Sequence, residues 1–345
     1  MRKLLLLSIM LTLTLTPQFD LIGQNIQSEF ESYAQVRDSL DALYDLEKYG
    51  EAIDLIKSVE GIFPEDDFEL TRSHALFCRK AGLYEECMNV FEAGHKKGYF
   101  YFIIPRMKRY EPFAGFERFT AIVGEDARLR KKALEKSKTI MEIQIPVDYS
   151  SKKKYPLLIV LHGGGSSIER AKSNWKSEKL DNEFIVAFFQ SYMHQDLITF
   201  GWRTSDPRAR EDIKKLSAQI VKDYSIDTEK IVIGGISAGG SMAFDLAIND
   251  IIPVNGVFGV CPGKPQEFAE ENIEAAKSRD VKAYILGGER DYYLIKQKEM
   301  ADAFDWSGLD YKQVVLDEHG HDYPEDFSKW IDIALEFLVQ TERSL

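Results

Sequence analysis

One serine lies between two glycines in the segment Gly235-Ile236-Ser237-Ala238-Gly239, directly after an apolar run. This G-x-S-x-G pattern is typical of a nucleophile elbow, a tight strand-to-helix turn that presents the serine hydroxyl at its tip. Glycines are expected at both flanks because side chains there would collide with the strand and helix backbone. A helix that begins at Ala238 would also direct main-chain N–H groups at the reaction centre. The pattern predicts Ser237 as a nucleophile, and the alternative is a glycine-rich turn without catalysis.

A second glycine-rich segment follows another apolar run and reads His162-Gly163-Gly164-Gly165-Ser166. Acyl transfer needs two preorganised N–H donors where negative charge develops, and glycines let the backbone approach the substrate oxygen closely. We expect these donors to be the N–H of Ala238 and that of Gly163 or Gly164. His162 is expected to brace the loop. A phosphate site is not indicated, since neither phosphate-binding glycine motif is present.

Serine is a weak nucleophile until an imidazole takes its proton, and that imidazole needs a carboxylate to orient it. The chain order that accompanies this elbow is serine, acid, histidine. Only two histidines follow Ser237, at His319 and His321. The carboxylate candidates are Asp291 and Glu289, which follow an apolar run. A His-x-His pair could bind a metal, but no third ligand at informative spacing accompanies it, so no metal and no cofactor is predicted.

Four segments of the second half carry a family resemblance. They are YPLLIVLHGGG at 155–165, the elbow at 235–239, GGERD at 287–291 and EHGHDYP at 318–324. With them, residues 139–345 resemble an α/β-hydrolase of the serine esterase type, related to carboxylesterases, feruloyl esterases and polyhydroxyalkanoate depolymerases. The similarity covers about 60% of the chain and does not extend to the region before it.

The resemblance assigns roles to the acid and base candidates. It places the acid at Asp291, with Glu289 as the close alternative. The usual G-H-x-x-P arrangement before the last helix of the family matches Gly320, His321 and Pro324, so the resemblance favours His321 over His319 as the base.

Strands and helices alternate in the same region. Short runs of Val, Ile, Leu and Phe alternate with polar helical segments, which is typical of βα units around a largely parallel sheet. Strands are predicted at 140–145, 157–161, 184–189, 230–233, 254–260, 281–286 and 311–316, and helices at 208–224, 238–248, 294–304 and 324–339. Ligands bind at the carboxyl ends of such strands. Trp202 and Gln190 are the candidates there for substrate contact, and each could equally serve in packing.

Residues 32–136 are rich in Leu, Ala, Glu and Lys at helical spacing, which predicts a string of amphipathic helices. Superposing Ala52 on Cys87 gives a period of 35, close to the length of a tetratricopeptide (TPR) unit, which this stretch resembles. A peptide or protein could bind the concave face of such a unit. Alternatively, the helices only cap the hydrolase domain. Cys78 and Cys87 are expected as buried apolar residues, with a disulfide as the alternative.

The N-terminus has the layout of a secretory signal, with Arg2 and Lys3 before the apolar stretch 4–15. Cleavage is expected after Gly23, and an uncleaved anchor helix is the alternative. The predicted organisation is a signal peptide at 1–23, a TPR-like helical domain at 24–136 and an α/β-hydrolase domain at 137–345. The expected location is secreted or periplasmic, with no membrane span after cleavage.

Composition and charge limit the partners. The 345 residues carry a net charge of −12, which repels phosphate backbones and makes nucleic acid an unfavourable partner. The sequence therefore predicts a serine hydrolase that cleaves carboxylic esters of small molecules or carbohydrates through an acyl-enzyme. Two alternatives are a serine peptidase of the same fold and a TPR-based interaction protein with an inactive hydrolase domain. Ala238 disfavours the peptidase, because peptidases of this fold usually carry Tyr at that position.

Overall fold

A computed structural model of the chain describes residues 30–339, so the predicted signal peptide lies outside the described residues. Two compact units are present. Among the described residues, the first unit comprises 30–99 and Ile103–Glu125, and the second comprises Phe100–Phe102 and 126–339. Within this part of the chain, no helix combines the length and apolar character needed to cross a bilayer.

The first unit is helical. Its helices are α1 (Tyr33–Asp45), α2 (Tyr49–Ser58), α3 (Asp67–Lys80), α4 (Tyr84–Lys96) and the first part of α5 (Glu117–Lys136), with 3₁₀ turns at Pro64–Asp66 and Lys108–Phe113. Helices α2 and α4 begin 35 residues apart. Cys87 is fully buried, and its thiol donates to the carbonyl oxygen of Ala75 at 3.3 Å, so a small side chain allows α4 to pack closely on α3. The assignment of these hairpins as TPR units remains a prediction.

The domain boundary predicted between residues 136 and 137 falls at the C-terminal end of α5. The two units divide within that helix, between Glu125 and Asp126. Helix α5 therefore contributes residues to both units.

The second unit contains a seven-stranded sheet. Its strands are β1 (Ile140–Gln144), β2 (Tyr155–Leu161), β3 (Ile185–Gln190), β4 (Ile226–Ile236), β5 (Gly256–Val260), β6 (Lys282–Gly288) and β7 (Tyr311–Leu316). They are ordered β1-β3-β2-β4-β5-β6-β7, and only the edge strand β1 runs antiparallel to its neighbour. All of β5 is buried, as expected for a parallel strand covered on both faces. This is the predicted α/β-hydrolase fold, with a mostly parallel central sheet and a helical region before it.

Helices cover both faces of this sheet. They are α6 (Ile168–Asn174), α7 (Glu178–Glu183), α8 (Pro207–Asp223), α9 (Ala238–Ile248), α10 (Glu270–Ser278), α11 (Leu294–Ser307) and α12 (Phe327–Val339). One apolar cluster includes Ile213, Phe244 and Phe304, and the other includes Trp175, Phe258 and Leu335. Alternate residues of the inner strands point into the two clusters, so the sheet fixes the loops at its carboxyl end from both sides.

Candidate active site

Ser237 lies in the turn between β4 and α9. Its backbone has φ 54° and ψ −119°, a region that favours glycine, so the residue is held in a strained conformation by the surrounding structure. The N–H of Ser237 donates to the carbonyl oxygen of Val260 at 2.8 Å, which ties the turn to the neighbouring strand.

The two flanking glycines are required by close backbone approach. A Cβ on Gly235 would lie 2.5 Å from the carbonyl oxygen of Leu161, and a Cβ on Gly239 would overlap the carbonyl oxygens of Leu161 and His162. Any side chain at either position would therefore push α9 away from β2. Both glycines thus fix where the Ser237 hydroxyl points.

Histidine and carboxylate side chains from two later loops meet this hydroxyl. The Nε2 atom of His321, in the loop after β7, lies 2.8 Å from Oγ of Ser237. The Nδ1 atom of the same ring lies 2.7 Å from Oδ1 of Asp291, in the loop after β6. The structure therefore brings the three residues into one continuous line of hydrogen bonds.

Asp291 is oriented by further donors. Its side chain is fully buried, Oδ1 also accepts the N–H of Tyr293 at 2.9 Å, and Oδ2 accepts an amide hydrogen of Gln297 at 2.6 Å. Burial raises the pKa of Asp291, but the hydrogen bonds from Tyr293, His321 and Gln297 outweigh it and hold the pKa below its usual value of 3.8. The carboxylate is thus kept ionised and fixed against His321.

Gln297 is a functional neighbour that sequence reasoning missed. It lies on α11 and is completely buried. No sequence motif marks it, because a glutamine in the first turn of a helix is ordinarily a surface residue.

The alternative acid and base lie elsewhere. The Oε2 atom of Glu289 accepts the N–H of Glu318 at 3.0 Å, and Nε2 of His319 lies 2.9 Å from the carbonyl oxygen of Asp322. Within the described residues, neither side chain forms a hydrogen bond to Ser237. The structure therefore brings Asp291 and His321 to the serine, and not these two.

The glycine loop lies beside the elbow. A Cβ on Gly164 would be 3.5 Å from the Cβ of Ala238, so the two residues are neighbours. Gly165 donates its N–H to the carbonyl oxygen of Phe200 at 2.8 Å. Within residues 30–339, the N–H groups of Gly163, Gly164 and Ala238 donate to no acceptor. These N–H groups are therefore available to an incoming oxygen.

His162 braces this loop from below. Its Nε2 atom accepts the N–H of Ser191 at 3.2 Å, which leaves the proton on Nδ1, 2.7 Å from the carbonyl oxygen of Gly163. Burial lowers the pKa of His162 to about 4, so the ring is neutral near pH 7. Because a trans peptide points its C=O and N–H in opposite directions, holding the carbonyl of Gly163 also fixes the direction of the Gly164 N–H.

A cleft of about 620 Å³ adjoins the elbow and is lined by Trp202, Ala238 and Tyr293 among others. Trp202 is 7% exposed and packs on His162, with ring centroids 5.2 Å apart, so it contributes to both the cleft wall and the packing. Gln190 is not part of the lining. Its side-chain oxygen accepts the N–H of Ile168 at 3.1 Å, at the end of β3.

Two groups of side chains within the described residues could offer ligands to a metal ion. One is His74, Cys78 and Glu86 in the helical unit, and the other is Cys261 with Asp291 and His321. In the second group, both ring nitrogens of His321 already contact Ser237 and Asp291, so a metal there would break the line of hydrogen bonds.

The BD-FAE family model, which describes esterase-like α/β-hydrolases, matches residues 141–251. This region contains the glycine loop and Ser237 but ends before Asp291 and His321. The predicted resemblance to esterase-like α/β-hydrolases is thereby confirmed. No curated protein matches the chain in sequence.

Several solved structures are similar to the chain. An uncharacterized protein from Bacillus cereus ATCC 10987 is 25% identical, with a TM-score of 0.51, over 89% of this chain and 98% of that chain. Esterase PE8 is 15% identical with a TM-score of 0.47, over 58% of this chain and 99% of its own. The S-formylglutathione hydrolase FrmB from Staphylococcus aureus is 16% identical with a TM-score of 0.46, over 58% of this chain and 92% of its own.

Proposed function

We propose that the protein is a serine hydrolase that cleaves carboxylic esters through an acyl-enzyme on Ser237. The observation that carries this proposal is the line of hydrogen bonds from Ser237 through His321 to Asp291, with heavy-atom distances of 2.8 and 2.7 Å. A nucleophile within reach of a base that is itself oriented by a carboxylate is the arrangement that acyl transfer requires.

The reaction has two halves. As Oγ of Ser237 attacks the ester carbonyl, Nε2 of His321 takes the hydroxyl proton, and Asp291 stabilises the imidazolium that forms. The tetrahedral intermediate then expels the alcohol, which receives the proton from Nε2. In the second half His321 takes a proton from water, the resulting hydroxide equivalent attacks the acyl group, and Ser237 leaves with the proton returned by Nε2.

The developing negative charge on the carbonyl oxygen is stabilised by main-chain donors. We assign this role to the N–H of Ala238 and to that of Gly164 or Gly163. The proposal is supported by their lack of acceptors within the described residues and by the contact of Gly164 with Ala238. Donors fixed before the reaction need no reorganisation in the transition state, and one such donor contributes about 3 kcal/mol.

The proposed substrates are esters of small molecules or of carbohydrates, and the proposed location is secreted or periplasmic. The location rests on the sequence of residues 1–23, where two basic residues precede an apolar stretch. A role of the helical unit in binding a peptide or protein partner is proposed only on its resemblance to TPR repeats.

Hydrolysis of short p-nitrophenyl esters by the purified chain tests the catalytic assignment. We expect Ser237→Ala to lower turnover by about 10⁶-fold, which leaves only the residual catalysis that substrate binding and the main-chain donors provide. Ser217→Ala is the matched control, because this buried serine lies on α8 and its hydroxyl has no partner within the described residues. Equal rates for wild type and Ser237→Ala would refute the proposal.

A further inference from the structure

The cleft beside the elbow has an unusual set of charges. Its lining includes three cationic side chains, Arg203, Lys264 and Lys296, and a single carboxylate, Glu299. This local excess of positive charge is opposite in sign to the chain as a whole, which carries a net charge of −12. A cleft of this sign raises the local concentration of anions.

The cations are only partly neutralised by their neighbours. Glu299 is shared between two lysines, with Nζ of Lys296 at 2.7 Å and Nζ of Lys264 at 3.5 Å. Arg203 forms an ion pair with Asp206 at 3.2 Å, so the uncompensated positive charge lies on the two lysines. One carboxylate cannot neutralise two ammonium groups, so an excess of positive charge faces the cleft.

The cleft adjoins the reacting groups. Ala238, which lines it, directly follows Ser237, and Tyr293, which also lines it, packs the edge of its ring against His321 with centroids 5.5 Å apart. A substrate bound through its ester at Ser237 can therefore extend one of its two sides past these residues into the cleft.

We propose that the substrates of this enzyme carry an anionic group, such as a carboxylate, that lies in this cleft while the ester lies at Ser237. This inference rests on the proposed esterase function. Lys264 and Lys296 supply the main attraction, and Glu299 holds the two ammonium groups at the cleft until the substrate carboxylate enters between them. Charge-assisted hydrogen bonds from ammonium to carboxylate are stronger than neutral ones, so an anionic substrate gains over a neutral substrate of equal shape.

Two pairs of esters, each a carboxylate and its neutral carboxamide, test the inference on the acyl and alcohol sides. The acyl pair is the mono-p-nitrophenyl ester of adipic acid and the p-nitrophenyl ester of adipamic acid. The alcohol pair is p-acetoxybenzoate and p-acetoxybenzamide. For each ester we measure kcat/KM and divide it by the rate constant for hydrolysis of that ester by hydroxide. The normalised ratio of a pair is this quantity for the anionic ester over that for the neutral ester. We expect a ratio of at least about tenfold in one pair, which identifies the side that enters the cleft, and a decline with added salt.

Variants of the cleft charges give the sharper test. Lys264→Gln and Lys296→Gln are each expected to lower the ratio about two- to fivefold, because a partly exposed ion pair contributes up to about 1 kcal/mol. Glu299→Gln removes the competing carboxylate, so it should change the ratio in the opposite direction and raise it. Lys298→Gln is the matched control. Lys298 lies on α11 and is exposed, as Lys296 is, but it does not line the cleft.

The outcomes separate this inference from the function on which it rests. If the neutral esters are cleaved in a Ser237-dependent way but both normalised ratios are near one, the anionic specificity is wrong and the esterase function stands. If Lys298→Gln lowers the normalised ratio as much as Lys264→Gln does, the proposed specificity is also wrong, because the effect then comes from the overall charge and not from the cleft. If no ester of either pair is cleaved, the proposed function itself fails.

Discussion

The ring of Tyr292 lies face to face against the imidazole of His321, with centroids 4.1 Å apart and planes inclined by 28°. Tyr292 is nonetheless 68% exposed, so its outer face is in water while its inner face covers the histidine. The ring of Tyr293 meets the same imidazole edge-on. Two consecutive tyrosines after Asp291 thus hold the orientation in which His321 reaches Ser237.

Replacing Tyr292 tests how much this stacking contributes to catalysis. We expect Tyr292→Ala to lower kcat about two- to tenfold, because an aromatic pair contributes about 0.5–1.5 kcal/mol beyond its buried area. Tyr292→Phe keeps the ring and should retain most of the activity. Ile295→Ala is the control, because that side chain is 73% exposed. A loss in Tyr292→Phe equal to that in Tyr292→Ala would show that the hydroxyl matters instead of the ring.

The acid is tested by isosteric amides. We expect Asp291→Asn to lower kcat about 10³- to 10⁴-fold, because an uncharged amide cannot stabilise the imidazolium and its NH₂ group can donate to Nδ1, which favours the wrong tautomer of His321. Glu289→Gln, the matched control two residues earlier, should leave kcat nearly unchanged because Glu289 contacts the N–H of Glu318. Steady-state kinetics with one p-nitrophenyl ester compares the two. A larger loss in the Glu289 variant would reverse the assignment.

His162 gives a pH dependence of stability. Its pKa is about 4 in the folded chain against 6.5 as the usual value, so the unfolded chain binds the proton more tightly. The stability contributed by the neutral ring is therefore complete above pH 6.5 and is lost as the pH falls toward 4. This loss amounts to about 3 kcal/mol in the free energy of unfolding.

Urea unfolding followed by tryptophan fluorescence measures this loss, since all four tryptophans lie in the second unit. His162→Asn is expected to be less stable at neutral pH because the loop loses its brace. Its stability should also decline less steeply on acidification than that of the wild type. Parallel declines in the two proteins would contradict the role of His162.

The burial of the cysteines predicts how their thiols react with a labelling reagent. Cys78, Cys87 and Cys261 are free and buried. Burial raises the pKa of both Cys78 and Cys87 to about 12, so few thiolates form near neutral pH. A neutral thiol reagent should label none of the three cysteines in the folded chain and all of them in urea. Labelling of only one in urea would instead support the alternative of a bridge between Cys78 and Cys87.

Much of the fold could be predicted because the inner strands are largely continuous apolar runs. The seven predicted strands correspond to β1–β7, and the helix predicted at 238–248 has the bounds of α9. Helices α6, α7 and α10 were not predicted, because they have at most nine residues and too few turns to show a helical period. Strand β4 begins at Ile226, earlier than predicted. Its start was missed because the four residues after Ile226 are polar and at least partly exposed.

The site could be predicted only as far as its motifs extend. Ser237 and the glycine loop have a local pattern, and His321 and Asp291 follow from chain order and family resemblance. Gln297, Tyr292 and the cationic cleft have no such pattern, because they depend on how α11 packs against the loops after β6 and β7. Contacts of this kind are set by tertiary packing, which residue types alone do not determine.

Trapping the acyl-enzyme tests the central claim most directly. The purified chain is mixed with p-nitrophenyl butyrate, quenched in acid within the first turnover, and digested for mass spectrometry. We predict a burst of p-nitrophenol equal to the enzyme concentration and one butyryl group on the peptide that contains Ser237, absent from Ser237→Ala. A butyryl group on another residue, or ester cleavage that persists unchanged in Ser237→Ala, would contradict the account.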